Sequence, residues 1–201
     1  MKSISQKCQS KKSICSCKSK KKDLKNHTLA TLVNCYLEEC QNCYQEEDKW
    51  WGDKNISWSE AIERAWRSIM ENGKMHGHQC NVGKKKLEEG LTICKSNQRK
   101  FDSFNDFHDV YCWIESITKK TEGIGSLTIY DVARRLGAWL DVQPKMVYLH
   151  RGALKGAKKL YIKGEIVSLN DFPPEIQKLG ATHAENFLCI YKDEIAKLVS
   201  G

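Results

Sequence analysis

Two histidines lie close together in a short polar stretch of the chain, where they could carry out acid–base chemistry. His76 and His78 are one residue apart, and Gln79 follows directly. In an extended segment, side chains two positions apart point to the same side. Imidazole titrates near neutral pH, so such a pair can exchange protons, contact a phosphate or bind a metal ion. Because a zinc site needs three or four ligands, we assign no metal here. Contact with a substrate or phosphate and ordinary polar loop histidines stay as two open alternatives.

A third histidine and one carboxylate complete the candidate catalytic residues. His150 precedes Gly152 in a segment with loop character, where a core histidine is less expected. Asp131 follows Tyr130 and lies three residues after Thr128, a spacing that favours a capping box at a helix start. The same carboxylate could also orient His150. The candidate catalytic residues are therefore His76, His78, His150 and Asp131, and the candidate substrate contacts are Gln79, Tyr130, Tyr148 and Gly152.

A glycine-flanked turn between two predicted helices is the main indication of ligand binding. The turn contains Gly123-Ile124-Gly125, and its glycines would expose backbone N–H groups at the start of the next helix. Unpaired amides and the helix dipole together favour a phosphate oxygen at such a position. A tight turn also needs glycine for steric reasons alone, so that alternative stays open. Three lysines would either extend the phosphate-binding face or form a solvated helix face: Lys155, Lys158 and Lys159.

This turn resembles the helix-hairpin-helix element, which grips the DNA backbone without contacting bases. In DNA glycosylases that carry the element, a Val-Asp-x-His segment follows it by one helix and supplies the catalytic aspartate. Here Val147-Tyr148-Leu149-His150 lies at a similar place. Tyr148 stands at the aspartate position, and Leu127 stands near the position of the lysine used by bifunctional members. The resemblance therefore implies a shared scaffold without ordinary glycosylase chemistry.

Four phrases in a fixed order also resemble a family of small, uncharacterised bacterial proteins. They are GKMHGHQ at 73–79, GIGSLTIYDVARRLGAWL at 123–140, PKMVYLHRGALKGAKKL at 144–160 and LCIYKDE at 188–194. Family members carry similar His-x-His-Gln, Gly-Ile-Gly-x-Leu-Thr-x-Tyr-Asp, Val-Tyr-Leu-His-x-Gly and Cys-Ile-Tyr-Lys-Asp phrases. The family usually has Ala and Thr where this chain has Arg151 and Ala153, so a threonine hydroxyl is missing here. The resemblance covers the chain after about residue 57 and implies no particular activity.

Apolar residues at helical spacing predict an all-α fold. The predicted helices cover 57–72, 84–97, 102–118, 128–140 and 183–198. Capping boxes are expected at Ser57, Thr128 and Thr182, each followed three residues later by a carboxylate. Gly73 is expected to end the first helix, and strand patterns are limited to 159–162 and 166–167. The fold class is a compact multi-helix domain with a helix-hairpin-helix-like element.

Charge divides the chain into three segments. Residues 1–25 contain nine lysines and little to bury, which predicts a disordered basic tail. Residues 26–55 are acidic with apolar residues at helical spacing, which predicts an amphipathic helical extension that packs on something. Residues 56–201 form the helical domain. The formal net charge of +8 favours polyanionic partners.

These patterns lead to one expected function and two alternatives. We expect a nucleic-acid-binding protein, with DNA favoured, that grips the phosphate backbone through Gly123-Ile124-Gly125 and basic residues. The first alternative is an enzyme that acts on a nucleotide or nucleic acid with a site made of His76, His78 and His150. The second is an adaptor that docks a protein partner through 26–55. Convergence of the three histidines in a concave pocket would favour the enzyme.

Location and membrane contact follow from what the sequence lacks. No apolar run approaches the roughly 18 residues that a membrane span needs. The basic N-terminus has no apolar block of the kind found in a secretory signal. We therefore expect no membrane partner and an intracellular location, either cytoplasmic or nucleoid-associated. The cofactor, if any, stays undetermined.

Overall fold

A computed structural model of the chain describes residues 28–200. These residues are mostly helical, as predicted, with eleven α-helices and one two-stranded antiparallel sheet. The helices are α1 (Leu29–Glu39), α2 (Gln41–Trp51), α3 (Trp58–Arg67), α4 (Gly77–Cys80), α5 (Lys84–Ser96), α6 (Phe107–Thr118), α7 (Ser126–Leu140), α8 (Arg151–Lys159), α9 (Pro174–Gln177), α10 (Gly180–Ile190) and α11 (Lys192–Ser200). In the sheet, β1 (Met146–Tyr148) pairs with β2 (Ile166–Ser168), with Val147 opposite Val167. The predicted basic tail, residues 1–25, lies outside the described residues.

Helix α7 lies at the centre of the fold. It packs against α2, α3 and α6, and its apolar residues Ile129, Val132, Ala133 and Leu136 are buried as their spacing predicts. Its polar residues Asp131 and Arg135 are buried too. A helix covered on nearly all sides must pair its polar side chains within the protein. This requirement makes α7 the element that organises the polar site described below.

A second apolar cluster forms around α8 and α10. It includes residues of α1, α8, α10 and α11 and of both strands, and α8 packs against α10 and α11. Gly156 allows the close approach of α8 to α10, because a Cβ atom at this position would lie 2.4 Å from the backbone oxygen of Leu188. The small sheet and α8 together place His150 at the edge of this cluster.

Residues 29–51 form two helices that belong to the core of the domain. The chain bends at Cys40, which follows α1 and precedes α2. Leu32, Val33 and Tyr36 on α1 are buried in the second cluster, and Asp48 on α2 accepts a hydrogen bond of 2.8 Å from Arg134 on α7. The apolar face predicted for residues 26–55 thus packs against the rest of the domain.

One of the three predicted capping boxes is confirmed and two are wrong. Ser57 caps α3 with a reciprocal capping box. Helix α7 already begins at Ser126 with Gly125 as its N-cap, so Thr128 lies inside the helix and is buried. Helix α10 begins at Gly180, which also places Thr182 inside the helix. Neither α7 nor α10 has a side-chain cap hydrogen bond at its N-terminus, so neither threonine caps its helix.

The end of α3 differs from the prediction and brings the histidine segment back to the core. Helix α3 ends at Arg67, where its C-cap Ser68 adopts the left-handed conformation with a φ of 56°, and not at Gly73. Ile69 then pairs with Met75 in an antiparallel bridge, with Gly73 at a φ of 72° in the turn between them. The N–H of His76 donates to the backbone oxygen of Ser68 at 2.8 Å. This tight return sets His76 and α4 beside α3.

Other helix boundaries and strands also differ in detail. Helix α6 begins at Phe107, because Asp106 is the N-cap and accepts a hydrogen bond from the N–H of Asp109. The helix predicted over 183–198 is two helices, α10 and α11, which meet at Tyr191. The strand candidate at 166–167 lies in β2, whereas 159–162 is the end of α8 and a turn. No helix within residues 28–200 is long and apolar enough to cross a bilayer.

Candidate functional site

Three of the four candidate catalytic residues meet on one side of α7. Potential ligand atoms of His76, His78 and Asp131 all lie within 4.8 Å of one another. The Nδ1 atom of His78 is 3.3 Å from Oδ2 of Asp131, and the rings of the two histidines are 4.9 Å apart. The capping role predicted for Asp131 is therefore wrong, since its carboxylate pairs with His78 across more than fifty residues of sequence.

A buried glutamine ties this carboxylate to an arginine. The Nε2 of Gln79 donates to Oδ2 of Asp131 at 2.5 Å, and its Oε1 accepts from Arg135 at 2.7 Å. Arg135 also donates to the hydroxyl of Ser68 at 2.6 Å and to the backbone oxygen of Ala65 at 3.0 Å. Gln79 is only 1% exposed. A buried network with its donors and acceptors satisfied is rigid, so the position of Asp131 is fixed before any ligand arrives.

Burial and charged neighbours shift the pKa values of these groups in different directions. Burial alone would raise the pKa of Asp131, but the hydrogen bond with His78 and the charge of Arg135 outweigh it and hold that pKa well below 3.8. The same hydrogen bond raises the pKa of His78, against the opposing effect of burial. Burial and the Arg135 charge lower the pKa of His76 to about 3. The site thus favours an imidazolium on His78 beside an ionised Asp131, next to a neutral His76.

His78 and His150 line one small pocket. The cavity has a volume of about 80 Å³ and is lined by Tyr44, His78, Leu127, His150, Arg151, Gly152, Glu185, Asn186, Cys189 and Ile190. The side chain of His78 is half exposed, whereas His150 is 5% exposed and its Nε2 has no hydrogen-bond partner. Burial lowers the pKa of His150 to about 4. Two histidines from distant parts of the chain, whose pKa values are shifted in opposite directions, therefore share one concave site.

Glu185, the carboxylate of the capping box predicted at Thr182, also lines this pocket. Glu185 lies inside α10 and is 6% exposed. Burial and then the nearby charge of Asp131 raise its pKa to about 8, while Arg134 and His78 act in the opposite direction. At neutral pH Glu185 is therefore mostly protonated and can donate a hydrogen bond.

Glu185 should make the stability of the protein depend on pH. Its pKa is about 8 in the folded chain against an ordinary value of 4.5, so between these values the folded state binds more protons than the unfolded state. Stability should therefore fall as the pH rises through this window. We expect Glu185→Gln to remove that fall, which thermal melts from pH 5 to pH 9 would measure. Glu165→Gln, at an exposed position, is the control and should leave the slope unchanged; an equal slope in the Glu185 variant would contradict the assignment.

The predicted phosphate-binding turn lies at the start of α7, beside the pocket. Gly125 is the exposed N-cap of α7, and Ile124 is buried. Gly123 has a φ of 87°, a conformation that favours glycine. None of these three residues lines the pocket, but Leu127, in the first turn of the helix that they begin, does.

The remaining predicted residues divide between the pocket and its surroundings. Gly152 lines the pocket. Tyr130 packs its ring 4.8 Å from that of His150, so it supports the site from behind. Tyr148 is buried on β1 and hydrogen-bonds to His108 at 2.8 Å, away from the pocket. The three lysines Lys155, Lys158 and Lys159 are exposed on α8 and do not line the pocket.

His76, His78 and Asp131 are also the residues that could hold a metal ion. Among residues 28–200 they are the only group of three or more potential ligands that comes together, and Nε2 of His76 lies 3.9 Å from Glu47. However, Oδ2 of Asp131 already accepts from Gln79 and pairs with His78. The buried cation of Arg135 adjoins the same cluster. This arrangement suits the pairing of an imidazolium with a carboxylate better than it suits a divalent cation.

A larger cleft elsewhere lacks such chemistry. It has a volume of about 420 Å³ and is lined by Trp58 and residues 98–102, at the opposite end of α7 from Leu127. Its titratable lining residues are Arg99, Lys100 and Asp102. It contains no histidine and no buried carboxyl group, so it is a weaker candidate for an active site.

Arg135 and Glu185 are the functional residues that sequence reasoning missed. Arg135 lies four residues after Asp131, so the two share one face of α7. A pair of opposite charges within an otherwise apolar helix is the signal that could have revealed the network. Glu185 is likewise an acidic residue within a largely uncharged helix, α10.

Comparison of the chain with protein-family models, with curated proteins and with solved structures gives no match, so the geometry of the pocket carries the functional conclusion.

Proposed function

We propose that the protein is an enzyme that hydrolyses a phosphate ester of a nucleotide or nucleic acid by general acid–base catalysis. One observation carries the proposal: His78, held by the buried Asp131, and the unpartnered His150 line the same pocket. Pairs of titratable groups whose pKa values are pushed apart by their environments mark acid and base assignments. Here the environment raises the pKa of His78 and lowers that of His150.

His78 is the general acid in this scheme. Asp131 binds Nδ1 of His78 and so stabilises the imidazolium, which leaves Nε2 to donate a proton. His150 is the general base, because it is neutral near pH 7 and its Nε2 is unpartnered. His150 takes a proton from water as the water oxygen bonds to phosphorus. His78 then donates its proton to the ester oxygen as the phosphorus–oxygen bond breaks.

The substrate class follows from charge. The formal net charge of +8 equals that of residues 1–25, which contain nine lysines and the single acidic residue Asp23. Such a basic segment attracts polyanions. The two helices whose first turns line the pocket carry the exposed Gly125 at the start of α7 and the exposed Lys155, Lys158 and Lys159 on α8. A nucleotide or nucleic acid, with a phosphate in the pocket, fits this distribution of charge.

The test separates turnover from binding. Single-stranded and duplex oligonucleotides of DNA and RNA, phosphorylated at one end, would be incubated with the full chain, and released phosphate and strand breaks would be measured. His78→Asn and His150→Asn should each lower turnover by about 10²-fold or more, with binding nearly unchanged. The control His108→Gln alters an exposed histidine outside the pocket and should keep full activity. Equal turnover in all three variants would contradict the proposal, as would activity that EDTA abolishes and zinc restores.

A second candidate function is backbone binding without catalysis, through a helix-hairpin-helix-like turn at 123–125. The exposure of Gly125 and the lack of a side-chain cap on α7 favour it. A Cβ atom at Gly125 meets no atom within 4 Å, and the φ of −98° is ordinary, so Gly125→Val should fold normally. Under this candidate the variant loses nucleic-acid binding and the histidine variants do not. Under the enzyme proposal the histidine variants lose turnover.

A further inference from the structure

The first turns of two helices meet at the pocket. Leu127 lies in the first turn of α7, and Arg151 and Gly152 lie in the first turn of α8, whose N-cap is His150. Neither helix has a side-chain cap. The first N–H groups of any helix have no acceptor within the helix, and here they have no capping side chain either. Both helix dipoles direct positive potential to the same region.

A buried polar atom without a partner points to a ligand at this junction. His150 lines the pocket, and its Nε2 atom is screened from solvent and has no hydrogen-bond partner. Buried polar atoms are rarely left unsatisfied. The two helix starts favour a group with several acceptor oxygens, and the free Nε2 atom of His150 favours a polar group, such as the attacking water, beside it.

The charges around the pocket agree with an anion. The lining residues carry the cationic Arg151 and the imidazolium-favouring His78. The lining carboxyl of Glu185 is mostly protonated at neutral pH and can donate. The ionised Asp131 hydrogen-bonds to the lining residue His78, and its charge is offset by His78 and by Arg135.

We infer that the pocket binds a terminal phosphate, so that the substrate is a phosphate monoester whose nucleoside or chain stays outside. The inference rests on the proposed function for its catalytic meaning. A cavity of about 80 Å³ holds several water-sized groups, which suits a phosphate group and excludes a whole nucleotide. A monoester presents three free oxygens to the first N–H groups of α7 and α8, whereas a diester presents two.

Phosphate binding can be measured without any turnover. Inorganic phosphate and dimethyl phosphate would be compared by calorimetry and by thermal melts of the full chain at constant ionic strength. We expect phosphate to raise the melting temperature and to bind at least tenfold more tightly than dimethyl phosphate. A 5′- or 3′-phosphorylated oligonucleotide should likewise bind more tightly than the same oligonucleotide with a free hydroxyl. Equal binding of phosphate and dimethyl phosphate would overturn the inference.

Variants locate the site and separate this inference from the proposed function. Leu127→Glu places a carboxylate at the start of α7 and should abolish the response to phosphate. Arg151→Glu, at an exposed position, should weaken that response and serves as the second variant in case Leu127→Glu does not fold. Lys163→Glu makes the same charge change as Arg151→Glu at an exposed position outside the pocket and should have little effect. An unchanged response in folded Leu127→Glu and Arg151→Glu proteins contradicts the phosphate site. If the His78 and His150 variants lose turnover but the wild-type protein does not bind phosphate, the enzyme proposal is supported and the phosphate site is contradicted.

Discussion

Replacing Asp131 with asparagine should abolish most of the activity while the protein remains folded. Asparagine keeps the size of the side chain and can still accept from Gln79, but it removes the charge that holds His78 as an imidazolium. Loss of an orienting carboxylate behind a catalytic histidine costs roughly 10²- to 10⁴-fold in turnover. We also expect a loss of stability of about 1–3 kcal/mol, because the buried network is left partly unsatisfied.

The matched control for this prediction is Asp141→Asn. Asp141 directly follows the same helix, its side chain is 78% exposed, and it pairs with Lys54. Its φ of 59° is a conformation that asparagine tolerates well. The control should therefore keep both turnover and stability, since exposed ion pairs contribute little. Wild-type turnover in the Asp131 variant, measured with chemical denaturation beside it, would remove the carboxylate from the catalytic scheme.

Gly156→Ala should be the most damaging small change in the second apolar cluster. Alanine favours a helix over glycine by up to about 1 kcal/mol, which by itself would stabilise α8. The added Cβ, however, would lie 2.4 Å from the backbone oxygen of Leu188, and backbone cannot move aside as a flexible side chain can. Overpacking typically costs about 1–3 kcal/mol, so we expect net destabilisation and displacement of α8, which carries the first turn beside His150.

Denaturant unfolding would test this prediction. Gly77→Ala is the control, because its Cβ would enter open space without a left-handed φ, and its stability should change by less than about 0.5 kcal/mol. A Gly156→Ala protein as stable as the wild type would show that α8 and α10 are not held at the separation described above.

Helix positions and apolar faces were largely predictable because they depend on local spacing. Ile129, Val132 and Leu136 recur at helical intervals and are buried on α7. Ser57 caps its helix with its own neighbour Glu60. Boundaries were less predictable: Thr128 and Thr182 have the spacing of capping residues, yet both lie inside helices. A local pattern identifies a residue that can cap a helix, but packing decides where the helix begins.

The residue types of the candidate site were also visible in the sequence. His76, His78, Asp131 and His150 can exchange protons wherever they lie. The spacing of His76 and His78 predicted that they lie on one side of an extended segment; residues 77–80 form α4 instead, yet the two rings are 4.9 Å apart. Their partners were not visible. The bond between His78 and Asp131, and that between Gln79 and Arg135, each join residues more than fifty positions apart.

The sequence by itself therefore determined a mostly helical chain and the four side chains able to do acid–base chemistry. Only the tertiary structure decided that Asp131 orients His78, that Glu185 faces the pocket and that α1 and α2 complete the core. The reason is physical: helix formation and side-chain chemistry depend on neighbours along the chain. Desolvation and charge pairing, which set the pKa values of His78, His150 and Glu185, depend on groups that folding brings together from distant positions.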